Sequence, residues 1–151
     1  MKATRMLCLC AALAGLATLA GTPARAADDE TPIPSFKKRG DNEKNWVAKV
    51  GTAIIKAAHP TAKDIEVNKD KKYEITDVKD KKGRKEIRIK MNYKGAVSKL
   101  VKKTPYTADI VIQVDASDND KWECLNIKYK DDNKVPYSEK KVQALIPQFN
   151  K

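Results

Sequence analysis

The chain has 151 residues and carries 31 lysines and arginines against 20 aspartates and glutamates, a formal net charge of +11. A charge of this size favours solubility and attracts anionic partners. The length fits one small domain rather than several. A single histidine leaves any zinc site to depend mainly on carboxylates, which is not the usual ligand set.

The first 26 residues have the three parts of a secretory signal. Lys2 and Arg5 make a positive start, residues 6–20 are apolar apart from Gly15 and Thr18, and Ala24-Arg25-Ala26 places small residues before a cleavage point. The apolar run is shorter than the roughly 20 residues that a membrane-spanning helix needs. We therefore predict a signal peptide over 1–26, with cleavage after Ala26.

Cleavage there leaves 125 residues for a periplasmic or extracellular domain. Residues 1–26 hold three basic and no acidic residues, so the net charge falls from +11 to +8. Cys8 and Cys10 are removed, and Cys124 remains as a lone thiol, either buried, paired between chains or reactive. Export makes an anionic envelope component or a protein the expected partner, rather than nucleic acid, and the mature chain has no expected transmembrane segment.

Residues 27–40 are polar and contain Pro32 and Pro34, a composition that predicts a flexible leader. A single domain is predicted over 41–151. It begins with a helix over about 42–58, because Trp46, Val50 and Ile54 recur at helical spacing after an N-cap at Asp41. His59 and Pro60 end this helix, since proline disfavours helical geometry in the residue before it.

Alternating apolar and polar residues predict the strands that follow. Short strands contain Ile65 with Val67, and Tyr73 with Ile75, and longer strands cover 84–93, 106–114 and 121–129. Turn residues at 80–83 and 115–120 predict two hairpins. Matching inward apolar residues places Ile75 opposite Ile87 in the first hairpin and Ile110 opposite Leu125 in the second.

Two segments are less determined. Residues 94–105 fit a strand extension, a helical turn or a loop equally well. Ser138 is the expected N-cap of a short C-terminal helix that carries Val142 and Leu145 and ends at Pro147. Since the apolar side of that helix needs a partner surface, one expectation is that it folds over the outer face of the sheet.

The predicted order is an N-terminal helix, a four- to five-stranded antiparallel sheet and a short C-terminal helix, which is an α+β fold with the first helix packed across the sheet. From Asp41 to Tyr129 this order resembles the cystatin-like arrangement, and PepSY-like periplasmic domains and the NTF2-like cone are looser relatives in shape. The Gln-x-Val-x-Gly loop by which cystatins inhibit proteases is absent, so the resemblance implies a shape and not that activity.

The predicted second hairpin places a small patch on the sheet's outer face. Trp122 would lie there beside Gln113, with Arg88 and Lys90 at its border, and tryptophan and arginine are favoured in binding hot spots. The densest basic run in the chain, Lys99, Lys102 and Lys103, offers a second surface for an anionic partner.

The sequence contains little that indicates catalysis or metal binding. His59 has no nucleophile motif beside it, and Gly40, Gly51, Gly83 and Gly95 lie too far apart to form a phosphate loop. Asp115, Asp118 and Asp120 supply calcium-type ligands but without EF-hand spacing, so calcium is only an alternative. No catalytic residue and no cofactor is predicted.

Three functions remain open. The first is an exported, non-enzymatic binding or accessory domain that uses the sheet's outer face or the basic loop. The second is an enzyme of cone-like fold with a carboxylate- or tyrosine-lined pocket, which a filled helix–sheet interior would disfavour. The third is an envelope-surface protein held by charge to anionic glycans or lipids.

Overall fold

The structure, a computed structural model, describes residues 35–40, 42–70, 73–96, 103–118 and 121–151. A 3-10 turn at Phe36–Lys38 precedes helix α1, and five strands and two short helices follow it. Their bounds are α1 Glu43–Ala58, β1 Lys63–Val67, β2 Glu74–Asp77, β3 Arg84–Ala96, β4 Lys103–Asp118, β5 Lys121–Asp131, α2 Glu139–Gln143 and α3 Ile146–Phe149. The α+β class and the order of elements are confirmed. The predicted signal peptide, its cleavage at Ala26, and residues Lys99 and Lys102 lie outside the described residues.

Helix α1 forms where its apolar stripe predicts it, but a different residue caps it. The side-chain oxygen of Asn42 accepts a hydrogen bond from the backbone N–H of Asn45 at 3.1 Å, which satisfies one of the free donors of the first turn. The helix ends as expected, with the N–H of His59 donating to the carbonyl of Ile55 immediately before Pro60.

The sheet is antiparallel, and β3 and β4 are its inner strands. β4 pairs with one side of β3, while β1 and β2 both pair with the other side, and β5 completes the sheet next to β4. The predicted register of the first hairpin is confirmed, with Ile75 opposite Ile87 and Glu74 opposite Arg88. Its turn includes Gly83 at a positive φ of 69°, where a side chain would meet the backbone of Ser117 at 2.6 Å.

The predicted register of the second hairpin is wrong. Ile110 lies opposite Tyr129 rather than Leu125, because the paired strands continue as far as Asp118 opposite Lys121. The pairing then shifts by one residue, so that Leu125 is an extra residue in β5 with no partner in β4. Such a bulge reverses which residues face the core, and Leu125 is accordingly 39% exposed whereas Cys124 is 2% exposed.

One face of the sheet is covered and the other is not. The inward residues of β3 and β4 pack with the apolar side of α1 in one continuous core, and the predicted interior residues Trp46, Val50, Ile54, Ile87, Ile89, Ile110 and Ile127 are all buried in it. Tyr73 is only half-buried. The helix–sheet interior is therefore filled by side chains.

The C-terminal helices pack on the same side of the sheet as α1, which corrects the expectation that they cover the outer face. Val142, Leu145 and Phe149 are buried in the same core as Trp46. Pro147 does not end the helix but lies in the first turn of α3, where its missing N–H costs nothing. The outer face of the sheet stays uncovered by any element that the structure describes.

The C-terminal segment also makes hydrogen bonds to backbone groups on the free edge of β5. Asn150 bonds both the N–H and the carbonyl of Cys124, at 2.7 and 3.1 Å. Gln143 donates to the carbonyl of Ile127, and the Tyr137 hydroxyl donates to that of Tyr129. An unpaired strand edge invites pairing with another chain, so these side chains protect it.

The predicted flexible leader differs from the structure at residues 35–40. Phe36 is buried, with its ring 5.2 Å from that of Trp46 and 6.0 Å from that of Phe149. The indole N–H of Trp46 donates to the carbonyl of Ser35. Burying a phenylalanine side chain contributes about 1.5 to 3 kcal/mol, which offsets part of the cost of ordering this short segment. Residues 35–40 therefore pack as part of the domain.

Candidate functional site

The densest group of polar side chains is buried where the end of α1 meets the ends of β3 and β5. We call it the Asp131 cluster, and it consists of His59, Tyr93, Tyr129, Asp131 and Asn133. Its members come from three separate segments, at 59, 93 and 129–133, and no spacing in the sequence brings the three segments together. The cluster is the main feature that the sequence analysis missed.

One oxygen of Asp131 holds the cluster together. Asp131 Oδ2 lies 2.8 Å from Nε2 of His59 and accepts from the hydroxyls of Tyr93 and Tyr129 at 2.6 and 2.5 Å. Oδ1 accepts from the backbone N–H of Asn133 at 3.1 Å. An ionised carboxylate only accepts, so His59 is the donor of this bond in the tautomer that carries its proton on Nε2.

Burial and ring stacking shield the Asp131 cluster from solvent. The Asp131 side chain is 4% exposed, and His59 stacks on Tyr93 with ring centroids 5.7 Å apart. Tyr137 packs against both His59 and Tyr129. Two surface clefts of about 470 and 280 Å³ are lined by other residues. The arrangement has the groups of an acid–base site, but its hydrogen bonds are made within the protein.

Burial raises the pKa of both Tyr93 and Tyr129, and their hydrogen bonds to the Asp131 carboxylate raise it further. The unfolded chain, where the ordinary value is 10.0, then loses these protons at a lower pH than the folded protein does. By linkage, this contribution to the free energy of unfolding is complete below about pH 10 and is lost as the pH rises toward the folded pKa values.

We therefore expect the urea midpoint to fall steeply above about pH 10, together with a rise in tyrosinate absorbance that tracks unfolding. The doubly substituted Tyr93→Phe/Tyr129→Phe protein is less stable at neutral pH but should show a shallower fall. Equal slopes for the two proteins would mean that other groups cause the alkaline loss.

The outer face of the sheet, by contrast, is polar and open. It holds three of the predicted binding residues, Arg88, Lys90 and Gln113, on adjacent strands. Gln113 donates to Glu86 at 3.0 Å and accepts from Asn126 at 3.2 Å, so that a polar ladder crosses three strands. The bond from Gln113, followed by that from Arg88, holds the pKa of Glu86 below its usual value.

Several charges on the outer face are paired. Arg88 bonds Glu86 at 2.7 Å, and Lys90 lies 2.9 Å from Asp109. A shallow depression of about 280 Å³ lies between them around Val111, which is half-buried and separates Arg88 from Lys128 in the same cross-strand row. The face therefore combines neutralised ion pairs with a small apolar centre.

Trp122 does not belong to this face, which corrects its predicted position beside Gln113. The bulge at Leu125 turns it to the helix side, where its ring lies 6.3 Å from that of Phe36. The Arg39 guanidinium stacks on it, 3.4 Å from the ring centroid. Trp122 lines the 470 Å³ cleft with Phe36 and Phe149, and its indole is partly buried.

Cys124 is a buried thiol rather than a surface one. Burial raises its pKa to about 12, and thiolate is the reactive form. In protein lacking residues 1–26, which has no other cysteine, we expect negligible modification by a disulfide reagent at pH 8 and complete modification in urea. Rapid labelling of the folded protein would contradict this.

The acidic turn is engaged in hydrogen bonds of its own. Asp115 accepts from the hydroxyl and the N–H of Ser117, which lower its pKa, and it lies 3.4 Å from Arg84. Asp118 pairs with Lys121 in the ladder, and Asp120 lies outside the described residues. Within the described part of the chain, no group of three histidine, cysteine or acidic residues is placed to hold a metal.

The basic run is described only at its last residue, Lys103, whose backbone begins β4 opposite Ala96. Of the undecided segment 94–105, the described residues extend β3 to Ala96 and begin β4 at Lys103. Among the helices of the described residues, none is long and apolar enough to cross a membrane.

Comparison with known protein families, with curated proteins and with solved structures finds no match to this chain.

Proposed function

We propose that this chain is an exported, non-enzymatic binding domain that holds a protein partner on the outer face of its sheet. The observation that supports this most directly is the asymmetry of the sheet. One face is packed by α1, α2 and α3 around a filled core, whereas the other carries a long polar surface on which no described element packs.

The size of the outer face suits a protein partner. β3 has 13 residues, and at ~3.3 Å per residue and ~4.8 Å between strands the face offers roughly 600 to 800 Å². A standard protein–protein interface buries about 800 Å² on each partner. Paired charges such as Arg88–Glu86, around an apolar centre at Val111, fit the mixed character of such interfaces.

The enzyme alternative has one observation in its favour, since the Asp131 cluster combines a carboxylate with tyrosines and a histidine. The burial of the Asp131 cluster argues for a structural role, because a substrate would have to displace the hydrogen bonds from His59 and Tyr93 to reach Asp131. The finer fold assignment, the cystatin-like arrangement of a helix across an antiparallel sheet, is proposed on the order of elements alone.

Export is part of the proposal and has its own test. Expression of the whole chain in cells with a secretory pathway should give a soluble product whose mass corresponds to 27–151. Replacing Ala24 and Ala26 by glutamine should block this processing, because small residues are needed at these positions. A product that keeps the mass of the whole chain and stays in the cytoplasm would overturn the proposed export.

The partner is tested by capture from the envelope fraction of source cells with two matched variants. Val111→Arg places a long charged side chain at the centre of the outer face. Ala53→Arg makes the same change on α1, at a half-buried position that lies between the exposed Lys49 and Lys56. We expect Val111→Arg to lose the captured partner at least tenfold and Ala53→Arg to retain it, both variants being folded. Equal capture by both would remove the outer face as the binding surface.

A further inference from the structure

The net charge of the domain lies on one side of it. The five strands carry ten basic and ten acidic residues, whereas residues 35–58 and 138–151 carry nine basic and three acidic residues. We call the surface of the 3-10 turn, α1, α2 and α3 the helix side. Most of the excess positive charge of the domain is therefore on the helix side, and the strands carry no net charge.

Ion pairing sharpens this contrast. Half of the ten strand cations are ion-paired with carboxylates, as in Arg84–Asp115, Lys90–Asp109 and Lys94–Asp64. On the helix side, Arg39 pairs with Glu43 at 3.8 Å. Seven exposed lysines there have no ion pair with any residue that the structure describes: Lys37, Lys38, Lys44, Lys49, Lys56, Lys140 and Lys141.

Their arrangement favours a broad anionic surface over a single polymer chain. Lys49 and Lys56 are seven residues apart, so they lie on one side of α1, ~10.5 Å apart along its axis. Lys44 lies in the first turn of α1, and the other four lysines lie on the 3-10 turn and α2, so the charge is spread across the helix side rather than along one groove. A planar surface contacts more of them at once than one extended chain does.

The helix side also has little to insert into a bilayer. Among the described residues, the large hydrophobic side chain that is exposed is Leu125, which lies in β5. Contact made by lysines alone is electrostatic and is weakened by salt, since the screening length falls from about 10 Å at 0.1 M to about 3 Å at 1 M.

We infer that the helix side docks peripherally on the headgroups of an anionic lipid bilayer, which leaves the outer face of the sheet directed away from the membrane. The inference rests on the proposed export, which brings the domain to a membrane surface, and not on the proposed protein partner.

The test uses protein processed to 27–151 and sedimentation with vesicles of phosphatidylcholine containing 30% phosphatidylglycerol, as a chosen composition. Lys49→Gln/Lys56→Gln removes two charges from the helix side. Lys128→Gln/Lys130→Gln is the matched control, because it removes two exposed lysines from the outer face and leaves the same net charge.

A lysine near an anionic membrane changes binding about fivefold, so the helix-side pair should weaken binding about 30-fold and the control pair less than about threefold. Vesicles of phosphatidylcholine alone should not bind, and 1 M salt should release the protein. Equal losses in the two variants, salt-resistant binding, or binding to soluble dextran sulfate without binding to the vesicles would each overturn the inference. Partner capture with Val111→Arg tests the outer face of the sheet, whereas vesicle binding tests the helix side. The proposed partner and the proposed membrane docking can therefore fail independently.

Discussion

Asp131→Asn is expected to lower the free energy of unfolding by about 2 to 4 kcal/mol, the largest effect of any single polar substitution in the domain. Oδ2 of Asp131 accepts from three donors and Oδ1 from a fourth. An asparagine keeps the shape but must direct its NH₂ group at donors that it cannot satisfy. Urea unfolding followed by tryptophan fluorescence measures the loss.

The adjacent residue provides the control. Asp132 is exposed, and its Oδ1 accepts from the N–H of Thr107 at 2.7 Å. Asp132→Asn removes the same charge but keeps an oxygen for that bond, so we expect a loss below about 1 kcal/mol. If the two variants lose the same stability, the Asp131 cluster is not what holds the end of α1 to β3 and β5.

Phe36→Ala is expected to cost about 3 kcal/mol, although Phe36 lies outside the first long helix in a segment whose composition predicts flexibility. Its ring is 6% exposed and contacts Trp46, Trp122 and Phe149. Removing it leaves a cavity among three aromatic side chains that belong to three different elements. Both tryptophans should also change their fluorescence in the folded state.

Lys37→Ala is the matched control, since it alters the next residue, which is exposed. It should change the free energy of unfolding by less than about 0.5 kcal/mol. A Phe36→Ala protein as stable as this control would show that residues 35–40 are not part of the folded domain and that the predicted leader extends to residue 40.

Vesicle binding by the lysine variants and urea unfolding at alkaline pH test different groups of charges. Stability should depend on the interior groups, Tyr93, Tyr129 and Asp131, whereas membrane binding should depend on exposed lysines such as Lys49. Substitutions of the exposed lysines are expected to change unfolding little, because they make no ion pair with described residues.

Much of the fold is determined by local sequence pattern. The apolar stripe of α1 and the stop at Pro60 place the first helix, and strict alternation from Ile87 to Tyr93 sets the inward face of β3. The first hairpin register follows as well, since a one-residue slip would turn Ile75 or Ile87 to solvent. These features depend on residues close in sequence, where periodicity carries the information.

The second hairpin, the helix side and the Asp131 cluster were decided by tertiary structure. One extra residue at Leu125 reverses the faces of β5 beyond it, and it moved Trp122 and Cys124 from the predicted outer face to the core side. Alternation alone shows no sign of such a bulge. His59 and Asp131 are 72 residues apart, and they meet only because α1 ends beside the last residue of β5. Sequence by itself determined which residues are apolar, basic and alternating, whereas the packing of α1 and the C-terminal helices on one face decided which charges and which sheet face remain open to a partner.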